Sequence, residues 1–308
     1  VRKALPSGTD DRFTLGLVIP AGLLGVLLAW ALAGVPAASA VRCCADIAGA
    51  AVLGLAALPR LADRIELPWR MIAVLAGLWC CLEFATLVFA AGEVVGSGVS
   101  ALSPADFGIY LTRISAGQIG LAILLATGAI AVYAAIAFRR PGQRTPDLVL
   151  VFAAVSVTLR PITGHMSQQA AGSVLAGVHA LAASTWLGLL LGLALVVRGR
   201  RGWADALPRY SGVALPMIAA VALTGVINGL VRLGGIAPFF TTGYGRIMLA
   251  KTVLLAVLLV LGWWWRRSWV VAAARHQMPA EGSLRRAVVE LAVMALVFGL
   301  AASLAITG

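Results

Sequence analysis

Apolar residues in this chain come in long unbroken blocks, without the 3.6-residue period of a helix with one wet face or the alternation of a half-buried strand. Nine blocks follow one another: Phe13 to Val35, Cys43 to Leu58, Met71 to Val95, Ile114 to Phe138, Leu148 to Thr163, Ser173 to Val197, Ser211 to Val231, Gly245 to Trp265 and Ala287 to Thr307. Crossing about 30 Å of hydrocarbon takes about 20 apolar residues at 1.5 Å of rise each, so the blocks read as membrane-spanning helices. The second and fifth are short and call for little tilt or for continuation into flanking residues. The pattern predicts an all-α fold, a polytopic transmembrane helical bundle of about nine spans. Connections are short, and no long linker, low-complexity tract or internal repeat interrupts the series, so residues 1–308 read as a single integral membrane domain.

Composition agrees, since 61% hydrophobic and 12% charged residues leave too little polar surface for a soluble globule. The net charge of +12 does not point to nucleic acid, because the basic residues are scattered between apolar blocks instead of gathered on one face. Their placement sets orientation. Arg2, Lys3, Arg12, Arg60, Arg64, Arg70, Arg139, Arg140, Arg144, Arg198, Arg200, Arg201, Arg209, Arg266, Arg267, Arg275, Arg285 and Arg286 fall in alternate connections, 18 of the 24 Lys and Arg. Arg42, Arg113, Arg160, Arg232 and Arg246 fall on the other side, and Lys251 lies inside a block. By the positive-inside rule the amino terminus is expected to be cytoplasmic and the carboxyl terminus extracytoplasmic. Ala38-Ser39-Ala40 after the first block has the form of a signal-peptidase site, but an apolar run of more than 18 residues suits a span better than a cleaved signal. Cleavage would leave eight spans.

Polar residues inside the apolar blocks are the candidate chemistry, because an ionisable group in hydrocarbon is expensive. Glu83 sits midway along the third block and needs a proton or a partner. Cys43, Cys44, Cys80 and Cys81 occur as adjacent pairs, pointing about 100° apart on a helix and unlike a CxxC grip, so small buried hydrophobes are their expected role. His179 lies about 10 Å below the outer edge of the sixth block, with Trp186 two turns further along the same face as packing. Pro161 and Gly164 end the preceding block, which places His165 and Met166 at the outer surface on a turn beside His179. Thr224 and Asn228 share one face of the seventh block near its outer end, and Tyr244, Met248 and Lys251 form one stripe at the start of the eighth. The comparable depths of His179, Asn228 and Lys251 predict a common outer cavity. Glu290 beside Arg285 and Arg286 reads as an anchoring ion pair in preference to an exit ligand for the ion.

The succession GHMSQ, VHALAASTWLG, ALTGVINGL, TTGYGRIMLAK and LRRAVVELAVM resembles the copper resistance protein D family of bacterial membrane proteins, over about Thr163 to Leu304 and most specifically from Tyr210 to Glu290. On this resemblance residues 163–304 form the family core and residues 1–146 are additional transmembrane spans that fit by hydropathy alone. The resemblance implies copper handling in the bacterial cytoplasmic membrane, with an extracytoplasmic copper-binding protein or an oxidase assembly factor as a partner.

Imidazole serves Cu(I) and Cu(II), and thioether favours Cu(I), so His165, Met166, His179 and Met248 form the expected metal-ligating set, with Asn228, Tyr244, Lys251 and Glu83 lining or gating the path. The expected function is copper import: capture at His165 and Met166, then transfer to His179. Two rivals belong to other classes. One is a delivery or assembly protein that binds copper without moving it. The other is a membrane cytochrome using His165 and His179 as axial haem ligands, a poor fit for imidazoles at unequal depths across a turn. No nucleophile, base and orienting acid converge, so an enzyme is not expected.

Overall fold

The structure, a computed structural model, describes residues 10–62, 65–96, 98–140, 142, 144–163, 171–233 and 235–307. They form an all-α membrane protein. A 3-10 stretch, Asp10–Leu17, leads into α1 (Val18–Ala33), followed by α2 (Ala38–Leu61), α3 (Trp69–Val95), α4 (Pro104–Arg113), α5 (Ser115–Arg139), α6 (Asp147–Ile162), α7 (Gly172–Val196), α8 (Gly199–Leu233), α9 (Pro238–Thr241), α10 (Gly243–Arg267), α11 (Trp269–Ala274) and α12 (Ala280–Thr307). Among the described residues eight helical segments are long and apolar enough to cross a membrane. The fifth apolar block, now α6, is not one of them: its 16 residues rise only about 24 Å. It nevertheless packs in the bundle against α2, α5 and α7.

Several boundaries differ from the apolar blocks, each for a chemical reason. α2 starts at Ala38, five residues before the block at Cys43, because Arg42 is neutralised one helical turn later by Asp46, with Nε at 2.9 and 3.1 Å from the two carboxylate oxygens. α8 starts at Gly199 and runs 35 residues, so the stretch taken as a basic connection is helical and carries Arg200, Arg201 and Arg209 as its first third. Residues 104–113, taken as part of a connection, form α4, started by Pro104 and by the Ser103 hydroxyl accepting from the Asp106 N–H.

α2 is the central helix, with 72% of its spanning window buried, and packs against α3, α6, α7 and α12. In lipid there is no hydrophobic drive between helices, so association relies on close packing at small residues. Two crossings show this. A Cβ on Gly54 of α2 would lie 1.9 Å from the Gly188 carbonyl carbon of α7, and one on Gly188 would lie 1.9 Å from the Ala50 oxygen. A Cβ on Gly25 of α1 would fall 2.1 Å from the Leu296 oxygen of α12, and one on Gly299 would fall 2.0 Å from the Gly22 oxygen.

Charges stitch the same helices together. Glu83 of α3, only 3% exposed, accepts from Arg160 Nη2 of α6 at 2.8 Å and from Trp79 Nε1 one turn earlier at 3.1 Å. Arg42 and Asp46 lie near enough for each pair to feel the other's charges, a neutral group of four. Two of the five basic residues assigned to the less basic face, Arg42 and Arg160, are thus inside helices and matched by carboxylates. At the opposite ends of the helices Arg60 pairs with Asp147, and Arg209 Nη1 donates to the Leu61 carbonyl at 3.3 Å, tying the end of α2 to the starts of α6 and α8.

Candidate metal site between α7, α8 and α10

The site is built where the start of α7 meets the end of α8 and the start of α10. Ser173 donates to the Ile162 carbonyl at 2.7 Å, and Gly177, where a Cβ would lie 2.8 Å from Ile162 Cγ2, lets the end of α6 seat against α7. These contacts hold the end of α6 against the start of α7, the two helices that His165 and Met166 separate in sequence. Both residues lie outside the described residues.

His179 is half-buried in the second turn of α7, and its ring faces α8 beside Gly225, where a Cβ would lie 3.5 Å from His179 Cε1. Its Nδ1 is 2.9 Å from Thr224 Oγ1. The Thr224 hydroxyl donates its only hydrogen to the Ala220 carbonyl at 2.5 Å, so toward the ring it acts as acceptor. The imidazole proton is therefore on Nδ1, and Nε2 presents its lone pair. Facing that lone pair is Lys251 Nζ of α10 at 3.4 Å.

The residues expected to share one cavity divide into two groups. His179, Thr224 and Lys251 meet directly. Asn228, one turn beyond Thr224, has a buried Oδ1 without a hydrogen-bond partner among the described residues. Met248 instead lies beside Gly229, where a Cβ would be 3.9 Å from Sδ, and packs with Tyr244 in an apolar cluster of Ala29, Val35, Ile247, Leu300 and Leu304. The Tyr244 ring lies under the Arg232 guanidinium, 4.9 Å from its centroid. Among the described residues Lys251 pairs with no carboxylate; the amine faces imidazole. Glu83 bonds to α6 and to its own helix, and not to α8 or α10.

Two expectations need correction. Glu290 does not pair with Arg285 or Arg286: Arg286 donates to Met278 Sδ at 3.0 Å and to the Gly282 carbonyl at 3.3 Å, while Glu290 is buried and accepts from the Tyr210 hydroxyl at 3.4 Å. The cysteines do not share one role, because Cys43 is buried against Gly22 whereas Cys81 is exposed on the surface of α3. The Glu83 partner lies 77 residues away, beyond the reach of any local spacing rule. The Thr224 hydroxyl was visible only as a face-mate of Asn228; the Arg42 and Asp46 spacing of four was a legible signal that was not used.

Among the described residues no three His, Cys, Asp or Glu side chains converge. The arrangement sets a single oriented imidazole nitrogen of α7 against the amine of α10, with the Met248 thioether apart from both in its apolar cluster.

The sequence profile described as "Copper resistance protein D" matches residues 204–304, and the one described as "Copper resistance protein D-like, N-terminal domain" matches residues 33–174. The likeness thus reaches into the first half, which hydropathy alone had linked. The chain is 26% identical over 154 residues to a protein of Bacillus subtilis (strain 168) named copper transport protein CutJ; the match covers 46% of this chain and 28% of that relative, so the chain spans little more than a quarter of its length. No solved structure matches.

Proposed function

Proceeding from the chain's membership of the copper resistance protein D family, we propose that it carries copper ions inward across the bacterial cytoplasmic membrane through the site centred on His179. Copper is the substrate. With the basic connections on the cytoplasmic face, the starts of α7 and α10 and the end of α8 lie on the outer side, where His165 and Met166 capture the ion and pass it to His179. The observation that supports this reading most directly is the hydrogen bond of Thr224 to Nδ1: with the Thr224 hydrogen committed to the Ala220 carbonyl, the ring proton belongs on Nδ1 and the Nε2 lone pair is turned toward Lys251. Lys251 stands at 3.4 Å from that nitrogen, in the place an incoming ion would take, and so acts as a gate that the ion must displace. Asn228, with its unpartnered buried oxygen, lines the approach from outside.

Copper entry into proteoliposomes of known orientation tests the proposal, under both reducing and oxidising conditions. Uptake is expected to fall by about tenfold or more, equivalent to ~1.4 kcal/mol or more, in both His179→Ala and His165→Ala with helical content unchanged. The condition that supports flux identifies the oxidation state carried. Copper that binds through the histidines and never crosses overturns import in favour of a delivery or assembly role. No binding in the wild type overturns copper handling at this site.

A further inference from the structure

A second polar cluster lies deeper along the helices that hold His179. Glu290 of α12 is 7% exposed and accepts from the Tyr210 hydroxyl of α8, 3.4 Å from Oε1. Trp186 of α7 closes the third side, its buried indole N–H turned toward both the Glu290 carboxyl and the Tyr210 oxygen. α12 is packed by α1, α2, α7, α8 and α10, and among the described residues the one titratable group these helices turn toward the carboxyl is Tyr210. Arg286 is engaged elsewhere and Arg285 is exposed.

An ionised carboxylate in this position has no counter-charge. A buried charge without a partner is so unfavourable that the group tends to neutralise instead, which favours the carboxylic acid at Glu290 until a cation comes beside it. An arriving cation changes that balance by supplying the missing charge. The cluster is placed to meet one: Trp186 is seven residues inward of His179 on α7, about 10 Å along the axis, and Tyr210 lies inward of Thr224 on α8.

We infer that Glu290, with Tyr210 and Trp186 around it, is a proton-exchange site on the inward course of the ion. The inference rests on the transport reading above. When a monovalent soft cation reaches the site, the carboxyl O–H bond breaks, the proton leaves to water, and the carboxylate oxygen pairs with the cation. When the cation departs, the carboxylate takes a proton from water and the neutral acid is restored. Tyr210 holds the carboxyl in place in both states by donating to it. One proton is exchanged per ion, and no electron moves.

Infrared difference spectroscopy of the full chain in lipid nanodiscs, with silver(I) as a redox-inert monovalent probe, tests the exchange. The silver-free wild type is expected to show a carboxylic-acid C=O stretch that is absent in Glu290→Gln and shifted in Tyr210→Phe. Saturation with silver is expected to bleach the band while a pH indicator registers the released proton; Glu290→Gln binds silver through His179 without bleaching any such band. A wild type without this band overturns the inference. So does a band that survives saturation while silver binds and crosses, and in that case the transport reading stands. Absence of any silver or copper binding overturns both. Because the decisive spectra come from the wild type, poor folding of a variant does not remove the test.

Discussion

His179 owes its one free lone pair to a threonine on another helix. Thr224 accepts from Nδ1 because its own hydrogen is committed to the Ala220 carbonyl, so the ring cannot present the other nitrogen without breaking a bond in a low-dielectric setting. Replacing a group that orients a ligating imidazole typically weakens metal affinity by about 10- to 100-fold. Thr224→Val is therefore expected to weaken silver or copper binding to that extent with the helices intact, whereas Thr224→Ser keeps most of it. Competition titration against a chelator of known affinity measures both. The residues themselves were legible beforehand, because depth follows from helix rise and apolar boundaries: His179, Asn228 and Lys251 were expected in one layer. Their pairing was not, since whether Lys251 meets a carboxylate, Asn228 or an imidazole depends on the rotation of α10 about its axis. Met248 shows the limit, sharing the Lys251 stripe yet packing beside Gly229 in an apolar cluster.

At the scale of elements, the group formed by Arg42, Asp46, Glu83 and Arg160 joins α2, α3 and α6. Removing one partner of a buried ion pair costs about 3–5 kcal/mol, because the other charge is stranded. Arg160→Met is accordingly expected to destabilise the bundle by about that amount, and adding Glu83→Gln to recover most of the loss. Denaturant titration of the single and double variants in detergent micelles reads both values, and equal losses in the two would show that Glu83 does not depend on Arg160. Charge explains why helix limits were harder to read than helix existence. Hydropathy stops a span at an arginine, whereas the helix continues wherever a carboxylate or the polar edge of the membrane accepts it, as at Arg42 in α2 and at Arg200 and Arg201 in α8. α6 differs in the same sense: counted as a span in the sequence, it ends after 16 residues, too few for a full crossing.

For the whole molecule, the positive-inside rule counts Lys and Arg and is little moved by carboxylates, so the ion pairs of Arg42 and Arg160 leave the expected orientation unchanged. That orientation puts the short loop around Ile236 outside and the turn after α11 inside. In a variant whose four cysteines are replaced by alanine, Ile236→Cys is expected to react with a membrane-impermeant maleimide in intact cells. His276→Cys is expected to react only after permeabilisation. Both side chains are exposed, Ile236 at 74%, so access is set by the side of the membrane alone. The reverse pattern would invert the bundle and place the His179 site toward the cytoplasm.

The crossing of Gly54 and Gly188 bears on how the bundle can move. With backbone against backbone, α2 and α7 have no layer of side chains to slide on; shear between them needs either a clash or an empty volume. His179 therefore stands on a fixed post. α10 is different, with few buried residues and an exposed apolar surface that includes Val253, Val260, Trp263 and Trp264. The separation of Lys251 from His179 thus falls to the outer rim of the molecule. If Lys251 gates the ion as proposed, the glycine-locked centre is the stator and the helix on the rim is the moving part, so uptake is expected to vary with bilayer thickness.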